Sequence, residues 1–257
     1  MQAFSVLGWG ACAMDAAFRQ GLPFPAVDIN IQSIPALLRR RSSLATRLAF
    51  TAAHRACEQA GRSVSELPAV FASTAGEIQT TDQLCLEMSH AHGVVSPSAF
   101  HNSVQNTAAG YWNIAQNSYS PSTALAAGID TFAMAMLEAW CQLLSQGGEL
   151  LLVCYDETWP EILAAGKGTP AFASAWVLAL GERPGSQALM SQPRPASGEF
   201  VKNWQALALQ MPVLAAIPLL DCLAHSTQPE IVVLTPNSPG WEVEVRPQNN
   251  QTAKIYY

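Results

Sequence analysis

Hydrophobic residues fall into short continuous runs separated by longer periodic stretches along much of this chain. The runs at 4–13, 69–73, 149–156 and 171–180 are of the kind found in strands buried on both faces of a sheet. A shorter strand of small residues is predicted at 122–125. Strands separated by helical stretches of this length predict an α/β fold with a mixed, largely parallel sheet.

The most regular periodic stretch lies at 44–60, where apolar residues recur at alternating steps of three and one. Gly61 follows and predicts the end of a helix. Because the stripe consists mostly of Ala, this helix can approach its neighbours closely, and we expect it at the centre of the fold. Further helices are predicted at 81–90, within 98–117 and at 129–146.

The composition changes at about residue 184, and we therefore predict a domain over 1–184 and a C-terminal extension over 185–257 that packs on it. Pro, Ser and Gln predominate through about residue 198, which indicates a surface connection. The other elements expected in the extension are a helix over 200–224 that is broken at Pro212 or Pro218, and a strand pair at 230–235 and 241–245.

The chain has 257 residues, of which 49% are hydrophobic and 12% charged, enough apolar material for one sizeable core. Its net charge of −6 gives no electrostatic reason to expect nucleic acid as a partner. One basic cluster stands out, and it is either a solvated helix start or a docking patch for an acidic partner protein. Its members are Arg39, Arg40, Arg41 and Arg47, with Arg55 further along the chain.

The six cysteines are spread along the chain without a C-x-x-C pair, which favours small buried side chains in a reducing compartment. The longest apolar run, 213–220, is too short to cross a membrane and contains Pro218. His90 and His92 lie two residues apart, but no further ligands are near them in the sequence. We therefore expect a cytoplasmic protein with no membrane contact, metal or cofactor.

The segment with the clearest chemical meaning is 122–128, Ser-Thr-Ala-Leu-Ala-Ala-Gly, which precedes an apolar helix. Such a segment places the side chain of residue 125 near the positive end of the helix. A thiol in that position has a lowered pKa, and nearby backbone N–H groups can stabilise an oxyanion. Leu125 has no nucleophilic atom.

This segment resembles the nucleophile segment of β-ketoacyl synthases of the thiolase fold, Ser-Thr-Ala-Cys-Ala-Ser-Gly, with Leu125 at the position of the cysteine. Asn-Thr-Ala-Ala-Gly at 106–110 and the strand ending in Cys-Tyr-Asp-Glu at 154–157 strengthen the resemblance. It implies a thiolase-like α/β fold over the first part of the chain, with helices flanking a mixed, mostly parallel sheet.

A working ketosynthase has a second, similar half that supplies two histidines. The residues after Arg183 are too few for such a half, and His225 is the only histidine among them. The chain is thus similar to the chain-length-factor subunits of type II polyketide pathways, in particular the short form of aryl polyene clusters. The resemblance implies a non-catalytic subunit that pairs with a true β-ketoacyl synthase, shapes the tunnel for the growing chain and meets an acyl carrier protein.

The resemblance also implies roles for particular residues. Phe100, His101, Trp112 and Leu125 are candidates for the tunnel lining, although a hydrogen-bonded structural role is favoured for His101. Strand 122–125 is expected at the sheet edge, where ketosynthase dimers pair. Its residues Ser122, Thr123, Ala124 and Leu125 are candidates for the dimer contact, and the arginines at 39–41 and 47 for carrier docking.

A second hypothesis is a small acyltransferase or decarboxylase of thiolase-like fold that uses Cys154 or a serine. The sequence has no G-x-S-x-G elbow. A cysteine at the end of a buried strand is more often inert, because apolar surroundings raise the pKa of a thiol. The non-catalytic hypothesis is therefore favoured, and activity of the chain on its own stays an open question.

Overall fold

A nine-stranded mixed sheet organises the chain. The computed structural model describes residues 3–90, 93–163 and 168–248. The strands are β1 (Phe4–Ala13), β2 (Ala69–Ala72), β3 (Ser122–Leu125), β4 (Glu149–Asp156), β5 (Phe172–Leu180), β6 (Ala188–Met190), β7 (Arg194–Pro195), β8 (Glu230–Val233) and β9 (Trp241–Pro247).

Helices connect and cover these strands. They are α1 (Ala16–Gly21), α2 (Ala36–Arg39), α3 (Leu44–Ala60), α4 (Ile78–Ser89), α5 (Pro97–Asn102), α6 (Thr107–Gln116), α7 (Thr131–Gln146), α8 (Lys202–Gln210) and α9 (Ile217–His225). Short 3₁₀ segments occur at Ile31–Ser33, Gly128–Asp130 and Pro212–Ala216. In the part of the chain that is described, no helix is long and apolar enough to cross a membrane.

The sheet has the order β3-β2-β4-β5-β1-β6-β9-β7, and β8 pairs with β9. β2 is parallel to both β3 and β4. The other described pairs are antiparallel, so the mixed sheet is as predicted but the expectation of a largely parallel one is wrong. The reason is the return from β4 to β5, where the described residues form no crossover helix and the chain reverses direction beside itself.

Two apolar cores lie on the two faces of the sheet. Alternate residues of β2 divide between them, with Val70 and Ala72 in one core and Phe71 in the other. The first core includes residues of α7 and of the 212–216 segment, and the second includes residues of α3 and α6. Strands buried on both faces explain the continuous apolar runs in the sequence.

α3 packs against β1 at very short range. A Cβ atom at Gly8 would lie 2.6 Å from the Ala56 carbonyl oxygen, and one at Gly10 would lie 2.7 Å from the Ala52 carbonyl oxygen. The helix begins after Ser43, whose hydroxyl accepts from the Thr46 N–H, and ends at Gly61 with a φ of 62°. The prediction of a central, closely packed helix with these ends is confirmed.

The residues after 184 continue the same sheet. β6 and β7 lie inside the stretch that was predicted to be a surface connection, and β6 pairs with β1 while Ala188 and Met190 are buried. That prediction is wrong because pairing with distant strands, and not local composition, orders this stretch. The helical region is interrupted at Pro212, and β8 and β9 form the expected strand pair.

Candidate functional site

The carboxyl ends of three neighbouring strands meet at one edge of the sheet, as they do in parallel sheets generally. Leu125 ends β3, Ser73 follows β2, and Asp156 ends β4. The Ser73 N–H donates to the Leu125 carbonyl at 3.1 Å, and the Ser73 hydroxyl donates to Asp156 at 2.6 Å. The end of β3 is therefore linked to a buried carboxylate through one serine.

Asp156 fixes the loop between β2 and α4. It is fully buried and also accepts the backbone N–H groups of Thr74 and Ala75 at 3.2 and 3.1 Å. Burial raises the pKa of Asp156 to about 6, and the hydrogen bonds oppose a larger shift. This carboxylate has a structural role that the sequence alone did not predict.

Two further buried carboxyl groups lie beside Asp156. Glu157 accepts the Gln79 N–H at 3.1 Å, and burial raises its pKa to about 7, with Glu77 and Asp156 adding to the effect. Glu77 accepts from the Thr46 hydroxyl at 3.0 Å, and burial raises its pKa as well. The group connects the starts of α3 and α4 to the end of β4. The only sequence signal for it was the acidic pair at the end of a buried strand, Asp156 and Glu157.

Position 125 offers no reactive atom. Leu125 is half-buried and packs against the core that contains α7. The chain then passes through the 3₁₀ turn into α7, where the Thr131 hydroxyl accepts from the Ala127 N–H and donates to the Gly128 carbonyl. The strand, turn and helix expected of this segment are present, with the apolar side chain of Leu125 at the strand end.

Cys154 is poorly placed to act as a nucleophile. It is fully buried in β4, and burial raises its pKa well above the ordinary value of a thiol, so the thiolate is disfavoured. Ser73 is equally buried, and its hydroxyl is engaged by Asp156. Neither residue presents an accessible nucleophile.

The structure does not bring the four tunnel candidates together. Trp112 is fully buried, with its ring packed near that of Phe71, whereas Leu125 packs on the opposite face of the sheet. Phe100 is 66% exposed on α5. His101 beside it is also exposed and has no hydrogen-bond partner among the described residues, so its interpretation as a hydrogen-bonded structural histidine is wrong.

The four arginines divide into two pairs. Arg39 donates to the Ile34 carbonyl at 2.7 Å, within the segment around α2, and Arg47 of α3 donates to the Arg39 carbonyl at 2.9 Å, so the Arg47 guanidinium holds α2 to α3. Arg40 and Arg41 are exposed. Only this second pair has its side chains directed at solvent.

β3 lies at one outer position of the sheet, paired with β2 alone among the described strands. The carbonyl groups of Pro121 and Leu125 accept hydrogen bonds from the β2 side of the sheet. Because successive residues of a strand direct their backbone groups to opposite sides, the N–H and C=O of Ser122 and Ala124 point away from the sheet. The Thr123 hydroxyl accepts from Gln142 of α7. The free backbone groups of this edge are thus those of Ser122 and Ala124.

No group of three or more metal-ligating side chains that could hold an ion occurs within residues 3–90, 93–163 and 168–248. His92, one member of the histidine pair considered from the sequence, lies outside the described residues.

Comparison with known proteins agrees with this geometry. A family model for the "Beta-ketoacyl synthase, N-terminal domain" matches residues 9–228, and a search of curated proteins gives no match. The chain is similar to a solved complex of the ketosynthase ApeO with its chain length factor ApeC from Xenorhabdus doucetiae. The TM-score is 0.69 and the identity 19%, over 95% of this chain and 99% of that chain.

Two other solved structures have the same architecture. The ishigamide ketosynthase/chain length factor matches with a TM-score of 0.63 and 15% identity, over 95% of this chain and 99% of that chain. AntDE:AntF, a type II polyketide synthase acyl carrier protein in complex with its ketosynthase, matches with a TM-score of 0.67 and 12% identity, over 96% and 100%. At these identities the likeness is one of fold, and it confirms the predicted thiolase-like ketosynthase fold.

Proposed function

This chain belongs to the β-ketoacyl synthase N-terminal-domain family, and from that premise we propose that it is a non-catalytic chain-length-factor subunit. In this role it pairs with a true β-ketoacyl synthase and shapes the tunnel that holds the growing chain. The observation that carries the proposal is Leu125, an apolar residue at the strand end where the family has its nucleophile. The resemblance to short chain length factors favours an aryl polyene, type II polyketide-like pathway.

The buried nucleophile candidates support a non-catalytic role. Acyl transfer through a covalent intermediate needs an accessible, activated nucleophile. Leu125 has none, and Cys154 is enclosed in the core with a raised pKa. No observation in the described residues favours the alternative of a small acyltransferase or decarboxylase.

The free edge of β3 is the proposed contact with the ketosynthase. The outward N–H and C=O groups of Ser122 and Ala124 can pair with a strand of the partner, and an uncovered edge of this kind invites such pairing. An obligate interface of this type buries more than about 2,000 Å² and is strongly apolar. The candidate contact residues are those of β3, from Ser122 to Leu125.

Mass spectrometry of the intact protein tests the catalytic part of the proposal. Incubated alone with an acyl-loaded carrier protein, the chain should form no stable adduct and no condensation product, whereas the complex with its ketosynthase should condense. An adduct that disappears in Cys154→Ala, but persists when the exposed Cys85 is changed to Ala, would favour the enzyme hypothesis instead.

Arg40 and Arg41 are the proposed docking residues for the acidic carrier protein, because Arg39 and Arg47 are engaged in internal hydrogen bonds. Reversing both charges, with Arg40→Glu and Arg41→Glu, should slow carrier association and reduce its dependence on salt. The exposed Arg183 provides the matched control, since Arg183→Glu makes the same kind of charge change elsewhere. Stopped-flow association at two salt concentrations makes the comparison, and equal rates for all variants would contradict this docking site.

A further inference from the structure

A groove of about 270 Å³ lies at the end of the sheet opposite β3. The outer strand β8 forms one wall, Glu199, Val201 and Trp204 contribute to the other, and Cys222 and Pro218 of α9 also line it. β9 pairs with β6 and β7 on one side and with β8 on the other, which leaves β8 as the last strand at this end. Among the described strands none pairs with the outer side of β8, so the groove runs beside a second free sheet edge.

The pairing of β8 shows which backbone groups are free. The Leu234 N–H donates to the Trp241 carbonyl at 2.7 Å, and alternation along β8 then directs the N–H and C=O of Val232 and Glu230 toward β9. The carbonyl of Glu244, which lies opposite Ile231, accepts its hydrogen bond on the side of β9 that faces away from β8. Ile231 and Val233 consequently direct their N–H and C=O groups away from the sheet.

Acidic side chains predominate in the lining of the groove. Its lining includes the carboxylates of Glu199, Asp221 and Glu230 and contains no Lys or Arg. Asp221 pairs with His225 at 2.9 Å, and Glu230 accepts from the Ser226 hydroxyl at 2.6 Å. Glu199 is exposed and has no such partner in the described chain.

Apolar side chains flank these charges. Ile231 is 54% exposed and Val201 is 49% exposed, and the half-buried Trp204 lines the groove between the two walls. A segment bound in this groove would thus contact free backbone groups of β8, apolar side chains and carboxylates.

We propose that this groove binds an extended segment of a partner protein in which Lys or Arg alternates with apolar residues. The segment adds to β8 as a further strand through Ile231 and Val233, as in other cases of strand addition. Its cationic side chains meet Glu199 and Glu230, and its apolar side chains cover Ile231 and Val201. A second copy of this chain would bring the same carboxylates face to face, and this like-charge contact disfavours self-pairing.

Hydrogen exchange with synthetic peptides tests the proposal on the full chain, alone or in the complex with which it co-purifies. The probes are an acetylated, amidated peptide with three Val-Lys repeats and its Val-Glu counterpart. The lysine peptide should slow exchange at the amides of Ile231 and Val233, and the glutamate peptide should not. Equal protection by both peptides, or protection elsewhere only, would overturn the proposal.

Variants with a matched control separate the two contributions. Ile231→Pro removes an outward N–H that β9 does not use, so it should weaken binding of the lysine peptide about tenfold and leave the unfolding midpoint unchanged. Glu199→Lys should weaken binding about fivefold, whereas Glu66→Lys, the same change at an exposed glutamate outside the groove, should have no effect.

Either of two results would refute a basic occupant. One is lysine-peptide binding that ignores both Ile231→Pro and Glu199→Lys. The other is concentration-dependent dimerisation of the unmodified chain that Ile231→Pro abolishes, because it would identify a second copy as the occupant. Since β8 and β3 are at opposite ends of the sheet, failure here leaves the proposed ketosynthase contact unaffected, and the reverse also holds.

Discussion

At the scale of single residues, the buried carboxyl groups of Glu77, Asp156 and Glu157 are the chemically most unusual groups near the strand ends. Each is almost fully buried and has a raised pKa, chiefly because burial disfavours the ionised form. One carboxylate oxygen of Glu77, Oε2, has no hydrogen-bond partner in the described structure. Their protonation should therefore affect the stability of the fold.

The expected pH dependence follows from Glu157. Its pKa is raised from 4.5 to about 7 on folding, so the folded state binds this proton more tightly than the unfolded state. The resulting stabilisation is fully present below about pH 4 and is lost as the pH rises through 7. This group should therefore make the free energy of unfolding larger at pH 5.5 than at pH 8. Glu157→Gln should reduce that difference by roughly 1–2 kcal/mol, measured by urea unfolding.

The exposed Glu66 gives the control, because Glu66→Gln should leave the pH dependence as it is in the unmodified chain. His54 acts in the opposite direction, since burial lowers its pKa and its contribution is lost as the pH falls. That contribution is common to all variants and cancels in the comparison. A pH dependence in Glu157→Gln equal to that of the unmodified chain would contradict the role of this carboxyl group.

At the scale of elements, α5 and α6 separate two aromatic residues that the sequence grouped together. Trp112 on α6 is enclosed by the rings of Phe50, His54 and Phe71, whereas Phe100 on α5 is largely exposed. The first contributes to the core, and only the second is free to contact a partner or a bound chain.

Substitution by alanine should distinguish these two positions. Trp112→Ala should lower the free energy of unfolding by about 3–5 kcal/mol because it leaves a cavity, whereas Phe100→Ala should change it by less than about 0.5 kcal/mol. In the assembled complex, Phe100→Ala should lengthen the products if α5 borders the tunnel. Urea unfolding and mass analysis of products provide the measurements, and an unchanged product profile would remove α5 from the tunnel.

The elements that the sequence predicted well are those that local chemistry defines. β1 and β4 are continuous apolar runs, and α3 is bounded by Ser43 and Gly61. β6 and β7 were missed because they are very short and form only by pairing with β1 and β9. In such cases tertiary contacts override local propensity.

The candidate site likewise has some features that the local sequence predicted and others that depend on tertiary contacts. The position of Leu125 between a small-residue strand and an apolar helix could be read from spacing alone. The contacts of Asp156 with Ser73 and of Glu157 with Gln79 could not, because strand pairing brings together residues that are far apart in the sequence. The separation of Trp112 from Leu125 depends on which face of the sheet each occupies.

At the scale of the whole molecule, the outer strand at each end of the sheet has an edge that no other described strand pairs with, and the two edges differ in charge. β3 consists of Ser, Thr, Ala and Leu and carries no charged side chain, whereas β8 borders a groove with three carboxylates. An uncharged edge suits a permanent apolar interface, and an acidic groove suits a basic segment. The two ends are therefore expected to have different partners.

The last prediction compares a proline substitution in β3 with a proline substitution in β8. Ala124→Pro removes an outward N–H of β3 that β2 does not use, so it should abolish co-purification with the ketosynthase and leave binding of the Val-Lys peptide intact. Ile231→Pro should have the reverse effect, which makes each variant the control for the other. Tagged co-expression followed by size-exclusion chromatography measures the first property, and hydrogen exchange measures the second. If Ala124→Pro folds with an unchanged unfolding midpoint and still co-purifies with the ketosynthase, β3 is not the interface.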